Sequence, residues 1–441
     1  MKPIITVIGG GLAGSEAAWQ IARRGLDVRL YEMRPIVPTP AHTTDQLGEL
    51  VCSNSFKSDL PGTAPHLLKQ ELRRLDSLLM RIAEEVKVPA GHALAVDRDK
   101  FCRRLTEEIL RVPHIKVLRE EVRELPNDGV AVVATGPLTS GSFAEAIARF
   151  AGRQNLYFYD AISPIVDAGT LDHTKLFAAS RYGKGGEDYL NASFTEQEYL
   201  RFYHALIGAE SAPLRSFEKE MYFEGCLPLE ELARRGVDTL RFGPMKPVGL
   251  IDPRTGKRPY AAAQLRQENL MAGCYNLVGF QNHLMFPEQT RVFRLIPGLE
   301  NAEILRFGQI HRNTYIHSPD LLYPTLQARK SPQLFFAGQL CGVEGYIESI
   351  ATGLLAGINA VRLVQGCDPS SPPNGTACGS LVHYISRAGS EPFQPANISF
   401  GLLSETATEL RHRIRDKKER HRIQVQEALS HMDQWIMSNR I

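Results

Sequence analysis

Three stretches of the sequence predict a discontinuous α/β fold built on a Rossmann-like parallel sheet that binds a dinucleotide. An apolar run, Ile4-Ile5-Thr6-Val7-Ile8, passes without a gap into the G-x-G-x-x-G turn Gly9-Gly10-Gly11-Leu12-Ala13-Gly14. A second apolar strand, Asp27 to Tyr31, delivers an acid at Glu32, eighteen residues after Gly14. Far down the chain, Leu334-Phe335-Phe336-Ala337-Gly338 repeats the strand-to-glycine pattern. Each part has a physical reason. Gly9 permits the tight turn, Gly11 lets backbone approach a pyrophosphate, and Gly14 lets the following helix pack on the sheet. The N-terminus of that helix, which runs through Ser15 to Arg24 and stops at Gly25, faces the negative charge. Glu32 can accept hydrogen bonds from both ribose hydroxyls, with Arg34 two residues on.

Further along, Leu67, Leu68, Leu72, Leu75, Leu78, Leu79 and Ile82 make the apolar face of one helix over 66–86, and Asp99 to Leu110 reads as another. Val130 to Ala134 is a buried strand ending in Thr135-Gly136-Pro137, a second place where backbone can approach a dinucleotide. The strand ending at Gly338 feeds a helix from about Gly345 to Val364. This is the layout of a large FAD-binding fold whose nucleotide domain is interrupted and then completed by a distant segment. The expected division is an FAD-binding domain over 1–160 and 305–441, with an inserted α/β substrate domain over 161–304. Residues 367–380 are a loop by composition. Glu405 to Met437 has helical character, and its run Arg411 to Arg422 sets seven cations against two acids, enough to track a phosphate backbone or to form a solvated helix face.

Composition sets the outer limits. The chain has 441 residues, 43% hydrophobic and 23% charged, and a net charge of +2, which excludes a generally polycationic binder. No apolar run approaches a membrane span and Met1-Lys2-Pro3 leads straight into the first strand, so the expectation is a cytoplasmic protein with no membrane partner and no obligate protein partner. Seven cysteines, at 52, 102, 226, 274, 341, 367 and 378, include no C-x-x-C pair and no zinc-like cluster, so neither a metal nor a disulfide framework is expected. Cys102 and Cys274 read as ordinary buried residues. A flavin disulfide reductase would carry a close cysteine pair and a second G-x-G-x-x-G. The mid-chain cluster Tyr182 to Gly186 follows no strand, and Cys52 stands alone in Glu49-Leu50-Val51-Cys52-Ser53-Asn54-Ser55. Cys226, in Glu224-Gly225-Cys226-Leu227-Pro228, has the flanks of an exposed turn.

A resemblance extends over nearly the whole chain. Gly9 to Ala18, Tyr31-Glu32-Met33-Arg34-Pro35 and Leu50 to Ser55 are similar to the folate- and FAD-dependent tRNA uracil-5 methyltransferase family, TrmFO. So are Val88-Pro89-Ala90-Gly91 with Ala93 to Arg98, Ala134 to Ser140, Phe242 to Leu250, His311 to Tyr315, and Gly342 to Ser349. The resemblance implies an FAD-binding domain of the glutathione-reductase/GidA type. It also implies conversion of the T-loop uridine of tRNA (position 54) to 5-methyluridine, with carbon from 5,10-methylenetetrahydrofolate and electrons from NAD(P)H through FAD. The two cysteines implicated in that family's chemistry map onto Cys52 and Cys226.

The chemistry explains why thiols are needed. Uracil C5 is too weak a nucleophile to take a carbon unaided, so a thiolate must add to C6 and place enolate density on C5. A base then removes the C5 proton, the thiol leaves, and a hydride turns the exocyclic methylene into methyl. Flavin N5 can carry both methylene and hydride, which gives a methyltransferase a use for an FAD fold. By resemblance Cys226 is the nucleophile at C6 and Cys52 the base or covalent partner, although the two roles are exchangeable. The target base must leave its stack, as loop bases readily do. Gly338-Gln339 stands where many FAD folds have Gly-Asp near the ribityl chain. Glu344, Gly345 and Tyr346, at the start of the last long helix, lie where backbone N–H groups could face the flavin ring, with core packing the equal alternative for Tyr346. His311 and Arg312 could hold folate or tRNA phosphate or form a structural pair, and by resemblance Phe286 occupies a position where some members of the family have Trp, which speaks against pterin stacking there. Three readings compete: the same chemistry on ribosomal RNA or a GidA-type wobble-uridine enzyme, an FAD-dependent thiol oxidoreductase without RNA, and a flavin-holding structural protein.

Overall fold

The computed structural model describes residues 3–152, 156–183, 186–212, 227–387, 393–403 and 414–441. Its main sheet has six strands in the order Gln327–Ala328, Ser331–Phe336, Ala131–Val133, Ile4–Ile8, Asp27–Glu32 and Ile115–Arg119. All neighbours are parallel except the first pair. Leu334 lies opposite Ala131 and Thr6 lies opposite the same residue from the other side, so the distant strand and the N-terminal strand sandwich Ala131–Val133. A parallel sheet covered on both faces needs continuous apolar strands, and Val7, Val132, Phe335 and Phe336 are fully buried.

Two helices cross under this sheet at the distance of their backbones. Helix Leu12–Ala22 follows the glycine turn, and helix Tyr346–Val364 returns against it. A Cβ on Gly353 would overlap the carbonyl of Ala13, and one on Gly357 would come within 2.8 Å of the carbonyl of Ala17. The two glycines are four apart and therefore share a helix face. The 19-residue helix is long and apolar enough to cross a membrane, contrary to the reading that no apolar run approaches a span. Its length of apolar residues reflects the core that surrounds most of it, with Ile347, Ile350, Ala351 and Leu354 fully buried.

A second core is organised by an antiparallel sheet in the order Leu176–Ala178, Tyr189–Phe194, Ala261–Gln267, Cys274–Leu277, Ile165–Asp167 and Ile304–Arg306. Phe194, Tyr199, Phe202, Phe280 and Phe293 fill it. Leu156–Ala161 leads into this region and Ile310–Tyr315 leads out of it, paired antiparallel. A three-stranded sheet of Ser55–Ser58, Ala93–Val96 and Lys87–Val88 lies beside the junction, where Tyr189 donates its hydroxyl to Ala90 O at 3.0 Å.

Four elements differ from the sequence expectations. The helix over 66–86 is two helices, Ala64–Arg74 and Leu78–Glu85, because Ser77 caps the second and the buried Glu16 carboxylate accepts from Ser77 Oγ (2.7 Å) and Leu79 N (3.1 Å). The loop over 367–380 gives way to a helix, Ala377–Ser386, whose first N–H groups, Ala377 and Cys378, donate to the buried Glu71 carboxylate at 2.7 Å. A short strand, Leu176–Ala178, does precede the Tyr182 cluster, but it pairs antiparallel and opens no nucleotide turn. The C-terminal helix begins at Lys417 and runs to Asn439, and the first part of the basic run, Arg411 to Arg413, lies outside the described residues.

Candidate active site

The glycine turn assembles an anion site from backbone. Gly9 holds a φ of +105°, and a Cβ there would strike Ala134 and Thr135. A Cβ on Gly14 would overlap the carbonyl of Gly9, so strand, turn and helix close only without side chains at these positions. Gly11 differs. Its φ of −74° is open to any residue, and a Cβ there meets nothing within 4 Å. The helix it starts has no side-chain cap among the described residues and its first residues line a cleft, so its first N–H groups suit a pyrophosphate.

That cleft opens to solvent and is lined by Gly9 to Ala13, Glu32, Arg34, Thr135, Gly136, Gly338, Gln339 and Tyr346 among others. Glu32 is buried, its Oε2 accepting from Gly10 N (3.1 Å) and its Oε1 from Arg34 N (3.0 Å) and Nε (2.9 Å). Burial would raise its carboxyl, but hydrogen bonds and charge from Arg34 outweigh that and hold it below the usual carboxylate range. Arg34 also donates to Thr44 O, Gln46 O and Glu49, all at 3.1 Å, so it fixes both the acid and the loop that roofs the cleft. His42, also in the lining, is pulled down to about 4 by burial and by Arg34, and is neutral at ordinary pH. Opposite, Gly136 takes a φ of +67° with open space at its Cβ. Thr135 and Thr139 share a hydroxyl hydrogen bond of 2.6 Å.

At the other end, Gly338 N donates to Thr352 Oγ1 at 2.8 Å and Gln339 Nε2 to Glu344 Oε2 at 2.7 Å. Glu344 does not turn its N–H to the cleft, contrary to expectation, because that group donates to Ala396 O at 2.9 Å. Glu344 and Gly345 are not in the lining, and Gly345, with a φ of +116°, is the cap residue of the long helix, packed against Lys57 and Glu348. Tyr346 is in the lining, and there its hydroxyl does the work. It accepts from Cys52 N (3.0 Å) and Ser53 N (3.1 Å), and burial pushes its own ionisation far up, so it stays a neutral phenol.

Cys52 therefore sits one residue beyond the cleft-lining Val51, half-buried and not in a disulfide. Three guanidinium groups, Arg98, Arg266 and Arg306, interact electrostatically with its thiol. Arg98 and Arg306 also hold the segment by its backbone: Arg98 donates to Leu50 O, and Arg306 to Val51 O at 2.7 Å. Asn54 Nδ2 ties the strand behind it to Val96 O and Gln267 O, both at 3.0 Å. Lys69 lies buried beneath, donating to Phe56 O and Ser58 O, and burial draws its ammonium down to about 8. Burial pushes Cys102 and Cys274 up to about 11 and Cys341 to about 12, and it raises the Cys378 thiol well above its ordinary range.

Cys226 lies outside the described residues, as does the whole of 213–226. The ends of that segment are described. Ala212 N donates to His283 O at 2.8 Å and Leu229 N to Gln281 O at 2.7 Å, so one strip, 281–283, holds both. The same strip meets Glu230, whose Oε1 accepts from His283 N at 2.8 Å and whose carboxyl burial raises to about 7. Phe286 is partly exposed and stacks on Phe307 with centroids 4.6 Å apart. Of His311 and Arg312 only the strand is described, opposite 159–160. Arg98, Arg266, Arg306 and His42 were missed by reading the sequence. Only Arg98 carried a signal, as the last residue of the Ala93–Arg98 stretch.

The family model described as Glucose inhibited division protein A matches residues 4–368. The chain is 57% identical over 438 residues to the methylenetetrahydrofolate–tRNA-(uracil-5-)-methyltransferase TrmFO of Koribacter versatilis, covering 99% of each. It is 58% identical over 440 residues to the protein of that name from Solibacter usitatus, again covering 99% of each. The Enterococcus faecalis protein of that name is 54% identical, with 99% of this chain and 100% of that one covered. Among solved structures, Aquifex aeolicus GidA in its form II crystal superposes with a TM-score of 0.69 at 18% identity, covering 98% of this chain and 74% of that one, which shows a shared fold.

Proposed function

This chain belongs to the TrmFO family, within the wider group that the GidA model describes, and from that premise we propose how its cleft works. The protein is a methylenetetrahydrofolate–tRNA-(uracil-5-)-methyltransferase that uses FAD. The residues present fit FAD: an uncapped helix N-terminus with open space at Gly11, an acid at Glu32 for ribose, and a second glycine bend at Gly136. When bound, FAD supplies a carrier for the one-carbon unit of methylenetetrahydrofolate and a hydride drawn from NAD(P)H.

The protein's own groups prepare the uracil. The Cys226 thiolate adds to C6 and forms the C–S bond that pushes electron density to C5. Cys52 accepts the C5 proton once the new carbon is attached, after which the C6–S bond breaks and returns the Cys226 thiolate. Positive charge from Arg98, Arg266 and Arg306 favours a thiolate at Cys52. The target is the T-loop uridine of tRNA, and the reaction takes place in the cytoplasm. One observation supports this reading above the others: a single tyrosine, Tyr346, lines the cofactor cleft and anchors the backbone of Cys52. A cleft and a thiol tied to one side chain suit a reaction shared between them.

The test is direct. Purified protein is incubated with unmodified tRNA, methylenetetrahydrofolate and NADPH, and the RNA is digested and mapped. 5-Methyluridine in the T-loop is the expected result. Methylation of ribosomal RNA but not of tRNA when both are supplied, or NADPH oxidation with no RNA product, would overturn it.

A further inference from the structure

The second core displays apolar side chains where a protein with no partner there would hide them. Helix Thr239–Phe242 ends on a loop in which Phe242 is 83% exposed, Val248 37% and Ile251 60%. This loop is firmly built. Met245 and Leu250 are buried, turns close from Gly243 O to Lys246 N (3.2 Å) and from Pro247 O to Leu250 N (3.2 Å), and Met245 O accepts from Ala262 N (3.1 Å). Arg181 donates twice to Lys246 O, at 3.1 and 2.7 Å, and the Tyr182 ring packs under Gly249. The exposed residues are thus held out from an anchored platform.

Charge identifies the occupant. Residues 241–258 carry five cations, Arg241, Lys246, Arg254, Lys257 and Arg258, against one acid, Asp252, which is consumed by Arg254 at 2.6 Å. Arg241 is committed to Tyr260, over whose ring it lies at 3.7 Å. Lys246, Lys257 and Arg258 make no ion pair among the described residues. An exposed aromatic with exposed apolar neighbours in the same segment as cations that make no ion pair among the described residues has the chemistry of a surface that stacks unpaired bases and holds their phosphates. An apolar protein partner would not call for the cations.

Position agrees. The strand Ala261–Gln267 starts beside the loop and ends at the thiol, where Gln267 O accepts from Asn54 and Glu268 pairs with Arg98. Its seven residues span about 20 Å. A folate or nicotinamide held at the cofactor cleft does not need a second anchor that far away, whereas an RNA loop with one base at the cleft does.

We propose that Phe242, Val248 and Ile251, with Lys246, Lys257 and Arg258, form a stacking surface for unpaired nucleotides of the tRNA, separate from the cleft that receives the target base. This rests on the tRNA reading above. The experiment compares wild type with Phe242→Leu, Phe242→Trp and the pair Lys246→Ala/Lys257→Ala. For each it measures binding of unmodified tRNA transcript against salt, the KM for tRNA, and NADPH-driven flavin reduction without RNA. Phe242→Leu should weaken tRNA binding and raise KM about fivefold or more, while Phe242→Trp keeps both near wild type, because stacking needs a ring. The double variant should flatten the salt dependence. Flavin content and reduction without RNA should not change in any of them. Unchanged tRNA affinity and KM in Phe242→Leu would overturn the proposal, as would a self-association of the protein that disappears in Phe242→Leu while tRNA binding persists. If wild type binds tRNA through Phe242 but makes no 5-methyluridine, the function reading fails and this surface stands.

Discussion

Substituting Gly11 with valine separates cofactor binding from folding. The backbone there, φ −74° and ψ −166°, is extended, and a Cβ finds no protein atom within 4 Å. The folded chain therefore accepts the side chain, which occupies the space where the pyrophosphate meets the helix N–H groups. Losing one charge-assisted hydrogen bond costs about 1.5–3 kcal/mol, so with one lost FAD should bind about tenfold to a hundredfold more weakly. Gly14→Ala is the counter-case. Its Cβ overlaps the Gly9 carbonyl, so strand, turn and helix must shift, and such overpacking typically costs about 1–3 kcal/mol of stability. The assay reads flavin absorbance per protein, FAD affinity by fluorescence titration, and urea unfolding of the flavin-free forms. Gly11→Val should unfold like wild type and bind FAD poorly, while flavin-free Gly14→Ala should already be less stable. Full FAD occupancy with wild-type affinity in Gly11→Val would refute the assignment of this turn to the pyrophosphate.

Cys52→Ala and Cys226→Ala should each abolish methylation, whereas Cys102→Ala, Cys274→Ala and Cys367→Ala should retain it, as scored by 5-methyluridine yield. RNA carrying 5-fluorouridine, whose fluorine cannot leave as the C5 proton does, should trap a covalent adduct visible on a denaturing gel. An adduct that survives loss of either cysteine means that neither is the nucleophile, and one that survives only Cys226→Ala exchanges their roles. The methyl carbon should come from labelled methylenetetrahydrofolate, and label arriving from S-adenosylmethionine would remove the reason for a flavin. Burial raises the Glu230 carboxyl from 4.5 to about 7, so the stability it contributes is complete below pH 4.5 and lost as pH rises through 7. Glu230→Gln should therefore reduce the fall in unfolding free energy between pH 5 and pH 8 by up to about 3 kcal/mol, and an unchanged pH profile in urea titrations would contradict that burial.

What the sequence disclosed was local, and what it withheld was set by distant partners. Strand, glycine turn, helix and Glu32 were legible because each signal lies within a few residues of its effect. The break at Ser77 was not, since it depends on Glu16, about sixty residues earlier. The helix starting at Ala377 was hidden in a Pro- and Ser-rich stretch because its first N–H groups are met by Glu71 from another helix. The same holds at the thiol. Cys52 could be singled out by its neighbours in sequence, but the three arginines that bear on it come from three separate parts of the chain.

Tyr346 shows why that distinction matters for catalysis. Its position in sequence suggested backbone near a flavin, yet its hydroxyl is what holds Cys52 and Ser53. It stands at the N-terminal end of the helix whose Gly353 and Gly357 press on Ala13 and Ala17 of the nucleotide-binding helix. The depth of that helix crossing therefore sets two things at once: where the N-terminus of the nucleotide-binding helix meets its phosphate, and where the backbone of Cys52 is pinned. A larger residue at either glycine would move both together, so two glycines in a buried helix bear on the cleft and on the backbone of Cys52 alike.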